Sequence, residues 1–96
     1  MKRASIHTPE HSELILLLKD LRLKAGLSQA EVAEALERPQ TYLSAIEVGR
    51  RGVDLVQVRE ICRLYGVDFI AFAKLFEERL KTRESERRPP RRRRKS

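Results

Sequence analysis

Apolar residues recur along the first 80 positions at spacings of three and four, and no run alternates every second residue. That period lines up side chains on one face of a helix. The expected fold is therefore all-α, a compact five-helix domain without a sheet. Thr8-Pro9-Glu10 reads as a helix start: threonine caps, proline sits where its missing N–H costs nothing, and the acid meets the positive end of the helix dipole. Leu14, Leu17, Leu18, Leu21 and Ala25 make one face, and Gly26 stops the helix. Ser28 and Glu31 have capping-box spacing and begin a short second helix with Val32, Ala33 and Leu36 inward. Glu37-Arg38 leaves room only for a tight turn. Pro39 then opens a third helix, with Leu43 and Ile46 inward and Gly49 at its end. Asp54 with Gln57 starts a fourth, whose core positions are Leu55, Val58, Ile61, Cys62 and Leu64 or Tyr65, and Gly66 closes it. Asp68 caps a fifth, striped by Phe69, Phe72, Ala73, Phe76 and Leu80. Ile70 and Leu75 fall outside that stripe, and Pro89-Pro90 bars a helix beyond about residue 88.

Charge divides the chain differently. Residues 1–80 hold 12 basic and 12 acidic side chains, whereas residues 81–96 hold 9 basic and 2 acidic ones, so the whole net charge of +7 lies in the last stretch. No apolar residue falls within 81–96, so that stretch has nothing to bury. We expect an N-terminal arm (1–8), one folded domain (9–81) and a disordered, flexible basic tail (82–96).

Composition also excludes several classes. One cysteine, Cys62, forms neither an intramolecular disulfide nor a cysteine-based zinc site. No apolar run exceeds the length of Leu14 to Leu18, far short of a ~20-residue membrane span, and the N-terminus has no apolar signal region. The glycines are scattered and form no phosphate loop. His7 and His11 are helical neighbours, but without a third ligand they read as ordinary side chains, not a metal site. No catalytic cluster stands out. The expectation is a non-enzyme, without cofactor or metal, in the cytoplasm.

The informative stretch is Ser28 to Gly49: cap, short helix, tight turn, short helix, with small Ala33 where two helices can cross closely. With Leu21-Arg22, Gly26-Leu27-Ser28-Gln29, Glu31-Val32-Ala33, Leu36, Leu43-Ser44, Ile46-Glu47, Gly49-Arg50 and Gly66-Val67-Asp68, residues 14–76 resemble the Cro/repressor-type (XRE-like) helix-turn-helix family, including the lambdoid phage repressors. The resemblance implies double-stranded DNA binding, with residues 39–48 as the recognition helix in the major groove. It implies base contact by Gln40, Thr41, Ser44 and Ala45. Gln40 leads, because its amide matches adenine N6 and N7. Backbone contact would come from Ser28, Gln29, Arg38, Tyr42, Arg50 and Arg51, with Tyr42 on the flank of the helix. Arg22 and Glu47 match a structural ion pair of the family. The chain departs from the family pattern at Glu37, where glycine is usual, at Pro39 in place of a Ser or Thr cap, at Ala45 in place of a longer polar reader, and at Val48 in place of Asn.

The resemblance further implies a small transcriptional regulator, a repressor and homodimer. Ile70 and Leu75, joined by Leu80, would form an exposed apolar patch on the fifth helix that suits a dimer surface. Arg91, Arg92, Arg93 and Arg94 in the tail would add non-specific affinity for phosphates. The alternative is a protein-interaction module, such as an antitoxin-like protein that neutralises a partner and autoregulates its operon. Helix 69–81 or the tail would then bind the partner.

Overall fold

The computed structural model describes residues 7–87. They form five α-helices and no strand: α1 (Pro9–Lys24), α2 (Gln29–Ala35), α3 (Gln40–Glu47), α4 (Leu55–Leu64) and α5 (Phe69–Arg87). The starts follow local chemistry. Thr8 Oγ1 accepts the His11 N–H at 3.1 Å. Ser28 with Glu31, and Asp54 with Gln57, each form a reciprocal capping box. Asp68 accepts the Ala71 N–H at 3.1 Å. Each such cap satisfies donors that a helix leaves unpaired at its N-terminus.

The ends of α1 to α4 share one motif. After each C-cap, a residue with positive φ donates its N–H to the carbonyl three residues back, and the next residue reaches five back. This double bond pattern needs the left-handed backbone that glycine adopts without strain. Gly26, Gly49 and Gly66 supply it for α1, α3 and α4, and Glu37, at φ 58°, supplies it for α2. At Gly49 the missing side chain matters twice, because a Cβ there would stand 3.2 Å from Ile15 Cδ1.

The helix α1 packs on both α3 and α5, α2 packs on α3, and α4 packs on α5. The main core joins Leu17, Leu18, Val32, Leu43, Val58, Ile61, Cys62, Tyr65 and Phe72. A second cluster joins Ile15, Tyr42 and Ile46. Burial pushes the Cys62 thiol up to about 11, so it stays protonated and serves as a small apolar core residue.

Several expectations change in detail. Ala25 is exposed as the C-cap of α1, and Ile15 takes a core place that the face of leucines did not include. Leu55, expected inside, is 70% exposed, and Ala73 is exposed too. Of Leu64 and Tyr65 it is Tyr65 that is buried. Helix α3 spans Gln40–Glu47, with Pro39 and Val48 as its caps. Helix α5 runs to Arg87, past the boundary drawn at residue 81. Arg83, counted with the tail, reaches Glu13 at 2.8 Å, and Arg79 reaches Asp20 at 2.6 Å, so the end of α5 is tied to α1. Leu75 lines the groove between α1 and α5 with Leu17, Leu21 and Leu23. Five helical residues turn the chain by about 140° from Ile70, so the two do not make one patch. Arg91 to Arg94 and most of the arm lie outside the described residues.

His11 is buried near the start of α1, and its Nε2 finds no hydrogen-bond partner among the described residues. Burial, and then the nearby His7, lower its pKa below 6.5. The folded chain thus binds a proton at His11 less readily than the unfolded chain, which takes one up as pH falls through the ordinary value. This contribution to stability is complete above pH 6.5 and is lost as pH falls through the lowered folded value. Chemical denaturation at pH 7.5 and 5.0 should show a larger loss for the wild type than for His11→Phe. Equal losses would remove His11 from the account.

Candidate nucleic-acid interface

Helices α2 and α3 pack on each other, with Val32, Ala33, Leu43 and Ile46 buried, and the Glu37-Arg38-Pro39 turn sets the angle between them. Glu37 donates its N–H to the Glu34 carbonyl and Arg38 to that of Ala33. Pro39 gives α3 no side-chain cap; its φ of −65° and ψ of 153° carry the chain from the turn into the helix.

Behind the two helices lies a buried polar junction. Arg22 Nε lies 2.7 Å from Glu47 Oε2 and Arg22 Nη2 lies 3.0 Å from Glu47 Oε1, a two-pronged pair whose side chains are 8% and 3% exposed. Arg22 Nη1 also donates to the Leu27 carbonyl at 2.8 Å, in the turn before α2. The hydrogen bond to Glu47 outweighs burial and raises the Arg22 pKa. Gln29 Nε2 donates to Glu47 Oε1 at 2.8 Å, and Gln29 Oε1 accepts from Gln40 Nε2 at 3.4 Å. One carboxylate therefore joins the end of α1, the start of α2 and the end of α3, and a longer bond extends the chain to exposed Gln40.

The proposed base-reading residues occupy one edge of α3. Gln40 and Thr41 are exposed, and Ser44 and Ala45 are half-buried; the Ser44 hydroxyl donates to the Thr41 carbonyl at 3.4 Å. Tyr42, expected on the flank, is instead 8% exposed and belongs to the second core cluster. Arg38, Arg50 and Arg51 are exposed, and among the described residues none of them pairs with a carboxylate. Arg38 and Arg51 lie over the Tyr42 ring, 4.7 and 4.8 Å from its centre. The Ser28 hydroxyl accepts the Glu31 N–H at 3.0 Å and the Gln29 amide turns inward to Glu47, so both residues also hold the motif together.

Sequence reasoning missed Gln57 as a neighbour of this surface: its Nε2 donates to the Tyr42 hydroxyl at 2.6 Å. Its capping-box spacing marked Gln57 as a helix start, but nothing local announced a contact 15 residues away. No group of three or more His, Cys, Asp and Glu side chains among the described residues could hold a metal ion, and no helix there is long and apolar enough to cross a membrane.

Comparison with known proteins matches residues 13–71 to a family model described as "Helix-turn-helix domain". No curated protein matches the chain in sequence. Among solved structures the chain is similar to the wild-type restriction-modification controller protein C.Esp1396I, with a TM-score of 0.71 and 22% identity over 77% of this chain and 97% of that one. It is also similar to that protein as a tetramer in complex with its natural 35 base-pair operator, with a TM-score of 0.68 and 22% identity over 75% and 95%. At this identity the likeness concerns the fold.

The site geometry yields two expected outcomes. Arg22→Ala leaves Glu47 charged and sheltered from water, and breaking such a pair costs about 3–5 kcal/mol; its melting temperature should fall well below wild type, and an equal one would contradict the assignment. Glu37→Gly relieves a left-handed glutamate, worth about 1 kcal/mol, or ~4–8 °C in melting temperature for a domain of this size. A lower melting temperature would show that the glutamate side chain contributes more than its backbone costs.

Proposed function

This chain belongs to the helix-turn-helix domain family, and on that premise we propose that it binds double-stranded DNA sequence-specifically as a small transcriptional regulator, in the first instance a repressor. The observation that carries this reading is the edge of α3: exposed Gln40 and Thr41 beside three arginines that no described carboxylate neutralises. A helix of this width fits the major groove, and Gln40 offers the donor and acceptor that adenine presents there. Thr41, Ser44 and Ala45 line the same reading edge. Arg38, Arg50 and Arg51, with the Ser28-Gln29 corner of α2, serve as backbone contacts that fix register without reading sequence. C.Esp1396I, which shares the fold, is a tetramer on its natural operator, and this supports the same use here.

The protein acts as a homodimer in the cytoplasm, at the nucleoid when bound. Leu55 and Val56 on α4 and Ile70 on α5, each at least 67% exposed, are apolar side chains that a second copy would cover. A two-fold dimer reads two half-sites about one DNA turn apart. Residues 9–81 carry recognition. The tail, through Arg91 to Arg94, adds affinity by releasing counterions from phosphates, which is sequence-independent.

Selection of bound sequences from random duplex DNA tests this reading. Wild type should enrich a palindrome, and Gln40→Ala should relax one position per half-site by ~1–3 kcal/mol. A chain ending at residue 86 should keep the palindrome with a shallower salt dependence, by ~0.9 in log–log slope for each phosphate released. No enrichment by wild type would overturn the reading in favour of the protein-interaction module.

A further inference from the structure

The clearest feature that base reading and the core leave over is the arrangement around Tyr42. Arg38 comes from the turn after α2 and Arg51 from the segment after α3, yet both guanidinium carbons lie within 4.8 Å of one ring centre. They are therefore less than about 10 Å apart, close to the distance over which salt screens charge. Among the described residues neither has a carboxylate partner. Two like charges without a counter-charge repel in the free protein, and an anion placed between or beside them removes that repulsion. The ring attracts each cation through its electron-rich face and limits the rotamers of two long side chains before any ligand arrives.

The ring itself is held. Tyr42 is 8% exposed among Ile15 and Ile46, and its hydroxyl accepts from Gln57 Nε2 at 2.6 Å. Gln57 is fixed in turn, since its Oε1 accepts the Asp54 N–H and its own N–H donates to Asp54 Oδ1, both at 2.8 Å. The start of α4 thus anchors a platform on α3, and the platform carries one arginine from each side of α3.

We propose that Tyr42 is a positioning residue that gathers Arg38 and Arg51 into one clamp for the DNA backbone phosphates beside α3, with Gln57 as its anchor. The proposal rests on the DNA-binding reading above and assigns Tyr42 no phosphate contact of its own. It predicts coupling. The arginines should matter to binding only while the ring holds them.

Two measurements on the full chain test it. Binding to a short mixed-sequence duplex is titrated with salt for Arg38→Gln plus Arg51→Gln in three backgrounds: wild type, Tyr42→Phe and Tyr42→Leu. In wild type the double substitution should weaken binding at least roughly tenfold and flatten the slope by up to ~1.8 for two lost phosphate contacts. Tyr42→Phe keeps the ring but loses the Gln57 anchor and should keep only part of that effect, whereas in Tyr42→Leu the effect should shrink severalfold. Equal losses in the Leu and wild-type backgrounds would overturn the clamp and leave the DNA-binding reading intact. A wild type that binds no duplex would overturn both. The second measurement needs no DNA and no mutant fold. In the NMR spectrum of the free wild type, the side-chain δ and ε protons of Arg38 and Arg51 should be shifted upfield by the ring, and unshifted protons would overturn the proposal.

Discussion

The ion pair between Arg22 and Glu47 is the constraint on which the rest of the structure depends. Both side chains are withdrawn from water, and such a pair does not stabilise a protein merely by existing, because desolvating two charges costs as much as their attraction returns. Glu47 also stands at the C-terminal end of α3, where the helix dipole disfavours an anion. Only geometry offsets this: two prongs from Arg22, a third hydrogen bond from Arg22 to the Leu27 carbonyl, and the Gln29 amide on the remaining side of the carboxylate. A pair that demands so many partners fixes where they stand. The end of α1, the turn into α2 and the end of α3 are held in one arrangement, and the exposed edge of α3 is presented at the angle that arrangement sets.

The turn between α2 and α3 sharpens the same point. A left-handed residue is needed there to close α2 and redirect the chain, and this protein uses glutamate. The strain is tolerated because α2 and α3 pack on each other, with Val32 and Leu43 in one core cluster, whatever residue makes the turn. On the far side of α3, Tyr42 plays an equivalent part, fixing the helix to α4 through Gln57 while its ring faces the arginines. Helix α3 is thus tied from both ends by polar contacts and from beneath by apolar ones, which suits its proposed role of meeting a rigid duplex without reorganising.

Much of this was legible in the chain. Helix starts were readable because their chemistry is local: Thr8, Ser28, Asp54 and Asp68 act within three residues of themselves. The same holds for the ends at Gly26, Gly49 and Gly66. What pattern alone could not resolve depended on tertiary neighbours. The unbroken run Leu14 to Leu18 has no periodicity, so Ile15 could not be told from Leu16, which is 49% exposed. Leu55 carried an apolar side chain at a plausible core position and points outward. Tyr42 looked amphipathic enough for a flank, but its burial comes from Ile15 and Ile46, and its hydroxyl partner lies 15 residues on. Arg83 read as part of the basic tail until α5 proved long enough to bring it to Glu13 on α1.

The central claim is that the buried pair specifies the geometry of the α3 edge and contributes little net stability. Arg22→Met combined with Glu47→Leu removes both charges together, so no uncompensated ion remains, and such replacements are commonly neutral or stabilising by ~1–4 kcal/mol. Gln29 then loses its acceptor and Gln40 loses the fixed amide beside it. The decisive measurement is the base preference of this double variant in duplex selection, taken alongside its melting temperature. The expected result is a melting temperature at or above wild type with a relaxed preference at the Gln40 position. A base preference as sharp as wild type would contradict it.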